Sequence, residues 1–286
     1  MEVVLLGTGN PVPDPHRAGP ATLVRAGGRL LLVDCGRGVT MRLAGAGTNP
    51  AALDAVLLTH LHSDHVWSLN DVLTTRWVLQ PVEPAPFPVV GPVGTAAFVD
   101  ATLASMAADV GYRLEHHEDL TWEPRCDVTE VADGPAWGDR DRDGDSGGAG
   151  AGGVKVAAAV VDHGVARPAL SFRIEADGRS VVVAGDTRPC PALDDLCAGA
   201  DVYVQTVFRR PLVEAIPSRR FLDIMDYHSS TEDAAATAAR AGVGTLVLTH
   251  LIPTPAPGTE GDWADDARRH FDGKVVVGYD LATVAV

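Results

Sequence analysis

The sequence predicts an α/β fold in which two packed β-sheets carry helices on their outer faces. Three observations lead there. Apolar runs of strand length, three to eight residues each, are punctuated by Gly, Pro and Asp turns. The order of strands followed by helices occurs twice, before and after a compositionally distinct stretch at 133–153. The chain has 286 residues, 46% of them hydrophobic, enough to bury a sizeable core as one domain spanning 1–286.

The first half begins with strands at 3–6, 22–25 and 30–33, the last two joined at Gly27-Gly28. A helix at 38–44 precedes 55–58, a wholly apolar run of the kind found in strands buried on both faces, which ends at His60. Residues 64–79 have helical spacing, with Val66, Leu69, Val72 and Leu73 on one face, and the prolines from Pro81 to Pro88 prevent continuation. A strand at 89–90 and an alanine-rich helix at 94–108 follow.

Residues 133–153 are dominated by Gly, Asp, Arg and Ala, with too few apolar side chains to offset the entropy of ordering, and are expected to be a flexible insertion. Beyond it, strands are expected at 154–161, 169–174 and 180–183, the last pair joined by an Asp177-Gly178 hairpin turn. A helix at 193–198, a strand at 202–204, a helix at 231–241 and a strand at 245–248 restore the alternation. A helix at 264–271 and strands at 275–278 and 283–286 close the second sheet.

The formal charge of -15 disfavours polyanions, whose binding draws on neutralised phosphates. Cys35, Cys126, Cys190 and Cys197 form neither a C-x-x-C pair nor a disulfide framework. With no leader-like N-terminus and no apolar stretch near the roughly 20 residues of a membrane span, the expectation is a cytoplasmic protein without membrane contact.

Thr59-His60-Leu61-His62-Ser63-Asp64-His65 stands where an apolar strand ends and a helix starts. In the loop, His60 and His62 point to one side while Asp64 and His65 at the helix start face an adjacent position, so one turn can serve two metal ions. His163, Asp186 and His250 each follow a predicted strand, and Asp186 after Ala184-Gly185 is the carboxylate suited to bridge two metals. Asp34 is expected to hold a histidine or a backbone turn in place. His16, His116, His117 and His270 lack such a context and are assigned to the solvated surface.

The H-x-H-x-D-H motif resembles that of the metallo-β-lactamase superfamily, in its ribonuclease Z-like branch. Further matches are Leu6-Gly7-Thr8-Gly9, Val33-Asp34-Cys35-Gly36, Asp162-His163-Gly164-Val165, Ala184-Gly185-Asp186-Thr187, Tyr227-His228-Ser229-Ser230 and Leu248-Thr249-His250. The resemblance implies a four-layered αββα sandwich. It also implies one metal held by His60, His62 and His163, a second by Asp64, His65 and His250, Asp186 bridging, and His228 protonating the leaving group. Asp64, Asp186 and His228 are thus the expected catalytic residues, and two divalent ions the cofactors, zinc foremost, with manganese or iron as alternatives.

Two departures from the branch stand out. Its His-Glu-Ala-Thr stretch, whose acid partners the catalytic histidine, corresponds here to Gln205-Thr206-Val207-Phe208, and its long tRNA-gripping arm corresponds only to the turn at 175–179. With the acidic charge, these place the chain with phosphodiesterase- and arylsulfatase-like members lacking the arm. The expected substrate is therefore a small anionic ester, a phosphodiester or sulfate ester, and tRNA is not expected as a partner. Trp67, Phe208, Arg209 and Tyr227 are the expected substrate contacts, and a homodimer is the expected assembly by analogy with relatives. Competing functions are hydrolysis of a lactone, thioester or lactam, a biosynthetic tailoring step, and a non-catalytic metal-stabilised binding role.

Overall fold

The computed structural model describes residues 1–138 and 153–286. In chain order the first half contains β1 (Glu2–Gly7), β2 (Ala21–Ala26), β3 (Arg29–Val33), α1 (Val39–Gly45), β4 (Ala55–Leu57), α2 (Ser63–Val66) and α3 (Leu69–Leu79). It continues with β5 (Phe87–Gly91), α4 (Thr95–Ser105), α5 (Ala107–His116) and β6 (Cys126–Glu130). The second half contains β7 (Gly134–Gly138), β8 (Lys155–Val161), β9 (Ala169–Ala176), β10 (Arg179–Val183), α6 (Pro191–Cys197), β11 (Val202–Phe208), α7 (Arg210–Glu214) and α8 (Arg219–Leu222). It ends with β12 (Ser229–Ser230), α9 (Thr231–Ala241), β13 (Thr245–Ile252), α10 (Glu260–Arg268), β14 (Lys274–Val277) and β15 (Ala282–Ala285).

The strands make two sheets. One runs β15-β1-β2-β3-β4-β5-β6; the other runs β14-β13-β11-β10-β9-β8-β7, with β12 paired to β11. Each combines antiparallel neighbours (β15, β1, β2, β3; β10, β9, β8, β7) with parallel ones (β3 to β6; β10, β11, β13, β14). The β9–β10 turn holds both Asp177 (φ 54°) and Gly178 (φ 73°) in the left-handed region, as a two-residue hairpin demands.

Three apolar clusters fill the spaces between layers. Val3, Leu31, Leu57, Phe172, Ile174 and Val204 lie in the cluster between the sheets. Leu43, Leu69, Val72, Trp77 and Val99 join the first sheet to its helices, and Leu193, Ala235, Leu246, Trp263 and Phe271 join the second sheet to its own. The expected four-layered αββα sandwich is the observed architecture.

Several local expectations are corrected. The helix expected at 64–79 is broken between α2 and α3, because Cys35 ties the junction: its N–H donates to His65 O (2.6 Å) and its carbonyl accepts from Ser68 N (3.0 Å). The flexible insertion expected at 133–153 does not begin at 133. Asp133 accepts a hydrogen bond from Val160 N (2.7 Å), and 134–138 pair with β8, so ladder bonds order a Gly-Pro-rich stretch that composition marks as loop. Most of the rest of that stretch, 139–152, lies outside the described residues. The last strand does not close the second sheet; β15 returns to pair with β1 in the first. Among the described residues no helix is long and apolar enough to cross a membrane.

The two parallel regions point their carboxyl ends to one edge of the sandwich. There the chain leaves β3 at Asp34, β4 at His60, β8 at His163 and β10 at Asp186, while β13 carries His250. In parallel sheets this is the edge where loops gather to form a site.

Candidate metal centre

Asp186 stands at the middle of this edge. Gly185 before it has φ 65°, and a Cβ there would meet Thr59 Cβ at 2.7 Å, so only glycine lets β10 approach the β4 loop this closely. The approach places Asp186 Oδ2 3.4 Å from His65 Nε2, 3.8 Å from His163 Nε2, 3.9 Å from His60 Nε2, 3.8 Å from His250 Nε2 and 3.2 Å from His228 Nε2. Ligand-type atoms of His60, His62, His163 and Asp186 all lie within 4.8 Å of one another, and so do those of Asp64, His65 and His250. The seven residues singled out from the sequence are therefore gathered into two adjacent groups, Asp186 falling with His60, His62 and His163 while lying 3.4 Å from His65 Nε2 and 3.8 Å from His250 Nε2 of the other.

The far side of most rings is anchored. His60 Nδ1 meets Thr59 Oγ1 (3.0 Å), His65 Nδ1 meets Asp34 Oδ2 (2.7 Å), and His163 Nδ1 meets the Tyr227 carbonyl (2.9 Å). Asp34 also accepts from Thr59 N (2.8 Å) and Thr59 Oγ1 (2.8 Å), so one buried carboxylate joins the two turns that carry His60 and His65. With Nδ1 engaged, Nε2 is the nitrogen turned to the centre. His60 Nε2, His65 Nε2 and Asp186 Oδ1 are buried there without a hydrogen-bond partner among the described residues.

Buried polar atoms are ordinarily paired, so convergent orphaned imidazole nitrogens and a carboxylate oxygen fit a cation. Imidazole and carboxylate donors suit zinc, manganese or iron.

The electrostatics agree. Burial opposes ionisation of Asp186, but the charges of His250 and His65 and the hydrogen bond from His228 hold its carboxyl well below the usual range. Burial, reinforced by His65, pushes the His60 imidazole well down, and burial pushes His163 down to about 4 against the pull of Asp186. These two rings are neutral near pH 7, the form in which imidazole binds metal.

A cavity of about 340 Å³ opens on the centre, lined on the polar side by His62, Ser63, Asp64, Asp186, His228 and His250. Its apolar wall is Pro11, Val12, Phe221, Ile224, Tyr227 and Ile252. His228 is buried, with Nδ1 on the Ile224 carbonyl (3.1 Å). The absent acidic partner does not leave it loose; a backbone carbonyl holds Nδ1 instead. Gln205 is occupied elsewhere, by the Tyr203 hydroxyl (2.5 Å) and the Thr206 carbonyl (2.8 Å).

Of the expected substrate contacts, Tyr227 lines the cavity and three do not. Phe208 is fully buried against Val213 and Ile252, a core side chain. Arg209 is held by Asp266 (2.7 Å) and Asp262 (3.2 Å), its charge already matched. Trp67 is 66% exposed and stands outside the cavity wall. His16, His116, His117 and His270 are on the surface as expected.

Sequence reasoning missed Thr59 as an anchor, although a polar residue closing an apolar run beside His60 was a usable signal. It also missed the wall residues Phe221 and Ile224, which sit in a charged stretch with no periodicity to mark them.

A model described as the beta-lactamase superfamily domain matches residues 29–251. The chain is 54% identical over 287 residues to the ribonuclease Z of Mycobacterium bovis, covering all of this chain and 98% of that one. It is 53% identical, over 100% of this chain and 98% of the relative, to the ribonuclease Z of Mycobacterium tuberculosis. Among solved structures, the short form of human tRNase Z superposes with a TM-score of 0.70 at 21% identity, over 100% of this chain and 99% of that one.

Full-length similarity to proteins of that name overturns the expectation of a small-molecule substrate with tRNA excluded. Nor do the matches favour a sulfate ester. The charge of -15 that argued against RNA is a sum over the whole chain. Exposed charges are screened within about 8 Å at physiological salt, so the total does not set the field at one cavity.

Proposed function

Because this chain belongs to the β-lactamase superfamily, and within it to the ribonuclease Z family, we propose that it is a two-metal phosphodiesterase that cleaves transfer RNA. That it is a metal-dependent hydrolase follows from its family; the RNA substrate, the zinc and the residue roles are our reading. The observation that carries the reading is the position of Asp186 beside two groups of ligand-type side chains, with His60 Nε2, His65 Nε2 and Asp186 Oδ1 buried and unpaired among the described residues.

His60, His62 and His163 would hold one ion, Asp64, His65 and His250 the other, and Asp186 would touch both. Zinc is the metal that this donor set suits best. When bound, the two ions supply an activated water at neutral pH and neutralise charge developing on the phosphoryl oxygens.

The chain's own groups do the rest. Asp64, which lines the cavity beside His250 (3.1 Å), accepts the proton of the attacking water. As the water oxygen joins phosphorus, the bond to the leaving oxygen breaks, its electron pair stays on that oxygen, and His228 Nε2 supplies a proton there. The Ile224 carbonyl on Nδ1 keeps Nε2 aimed at the centre. Pro11, Val12, Phe221 and Ile224 offer an apolar face against which an unpaired base can lie. All four cysteines are free, in keeping with work in the reducing cytoplasm.

The test is cleavage of a transfer RNA precursor by metal-analysed protein, beside bis(p-nitrophenyl) phosphate and p-nitrophenyl sulfate. About two metals per chain and RNA cleavage lost in His228→Ala are expected. Turnover of the small phosphodiester without any cut in RNA would sink the substrate assignment and leave the hydrolase intact.

A further inference from the structure

We propose that Arg188 is a positioning residue for His228, bracing the segment that carries this histidine against the loops of His163 and Asp186. The inference rests on the reading of His228 as the proton donor in phosphodiester cleavage. Arg188 stands two residues beyond Asp186, and Asp162 one residue before His163. The two form an isolated antiparallel bridge between the ends of β8 and β10.

Both the backbone and the side chain of Arg188 use that partner. Its N–H donates to the Asp162 carbonyl (2.9 Å), and its guanidinium meets Asp162 Oδ2 through Nε (2.7 Å) and an Nη (2.6 Å). The Thr187 hydroxyl is shared between the Arg188 carbonyl (2.8 Å) and the same Asp162 carbonyl (3.1 Å), and Asp162 Oδ1 accepts from Gly164 N (3.1 Å), folding the turn around His163. Arg188 also reaches the Asp226 carbonyl (3.4 Å), two residues before His228.

The same segment is tied from its other side. The Tyr227 carbonyl accepts from His163 Nδ1 (2.9 Å), and Ser229 Oγ donates to the Thr187 carbonyl (2.8 Å). Three short loops thus meet through one guanidinium, and the third carries His228, whose Nε2 lies 3.2 Å from Asp186 Oδ2 and which lines the cavity. The Arg188–Asp162 pair is 50% and 38% exposed, and pairs this open contribute little to fold stability. What the guanidinium supplies is geometry: its planar fork engages Asp162 while a third nitrogen spans to Asp226, a reach that a lysine ammonium cannot reproduce.

The consequence depends on the leaving group. A ribose alkoxide needs the proton from His228, whereas p-nitrophenolate departs without it. The experiment measures kcat and KM on a transfer RNA precursor and on bis(p-nitrophenyl) phosphate. The proteins are wild type, Arg188→Ala, Arg188→Lys, His228→Ala and the Arg188→Ala/His228→Ala double variant, with metal content determined for each. Arg179→Ala, which breaks a comparably exposed pair with Asp201, is the control and is expected to match wild type.

Arg188→Ala is expected to lower kcat on RNA roughly ten- to hundredfold, as misplacement of a catalytic group does, with KM and metal content near wild type and far less effect on the nitrophenyl ester. Arg188→Lys should recover part of the loss. In the His228→Ala background Arg188→Ala should cost nothing further, because the two act as one unit. Equal losses on both substrates, loss of metal, or an undiminished effect in the His228→Ala background would overturn the inference. Should His228→Ala itself show no selective loss on RNA, the underlying assignment of His228 falls, and the inference with it.

Discussion

Replacing Asp34 by asparagine keeps the shape of a buried side chain and removes its charge. It also spares the backbone: Asp34 has φ 62°, a region that asparagine tolerates better than alanine. In the native protein the carboxylate accepts from Thr59 N, from Thr59 Oγ1 and from His65 Nδ1, at 2.8, 2.8 and 2.7 Å. An amide cannot accept on both sides. If its NH2 faces His65, the ring must accept at Nδ1 and carry its proton on Nε2, the nitrogen 3.4 Å from Asp186, where a proton blocks metal binding. If the amide turns over, its NH2 confronts the Thr59 N–H. Loss of one charge-assisted bond is about 1.5–3 kcal/mol, which is on the order of 10- to 100-fold in metal affinity, the range seen when a metal-ligating histidine loses its partner. A competitive chelator titration that counts metal per chain should find the ion at Asp64, His65 and His250 released first, and the ion at His60, His62 and His163 held more nearly as in wild type. Unchanged affinity in Asp34→Asn, or equal weakening of both ions, would refute the idea that Asp34 fixes the His65 tautomer.

Gly185→Ala should destabilise the fold and lower activity together. The new methyl would stand 2.7 Å from Thr59 Cβ at φ 65°, a conformation that alone costs roughly 1–2 kcal/mol outside glycine; a thermal unfolding midpoint equal to wild type would contradict this. Phe208→Ala should cost about 3–5 kcal/mol of stability, the usual range for a buried phenylalanine. Phe208 does not itself line the cavity but packs behind the wall residue Ile252, so KM measured in the folded fraction should change little, and a large selective rise in KM would return Phe208 to the substrate wall.

The strands and the metal-type residues were legible because each had a local signature. A wholly apolar run marked β4 and a mostly apolar one marked β13, and His or Asp at strand ends marked the site. Elements ordered by tertiary contacts were not. β6 reads Cys-Asp-Val-Thr-Glu and β7 Gly-Pro-Ala-Trp-Gly, edge strands whose order comes from the β5 and β8 ladders rather than from apolar patterning. The short helices α7 and α8 have five and four residues, too few for periodicity to register. Left-handed backbone at Asp34 and His250, φ 62° and 47°, is open to Asp and His more than to most residues, but that preference is too weak to mark these two positions in the sequence. Substrate was misjudged for a related reason. The short turn at 175–179 and the Gln205 stretch were read as evidence against RNA, but the sequence could not show that the Ile224 carbonyl stands behind His228.

The central claim is that Asp186 serves two metal ions in cutting RNA. The direct measurement is metal content and cleavage of a transfer RNA precursor by wild type and by Asp186→Ala. About two ions per chain in the wild type, with metal depleted and cleavage abolished in a variant that remains folded, is the result predicted. A folded Asp186→Ala protein that keeps both ions and still cuts RNA at a rate near wild type would contradict the account.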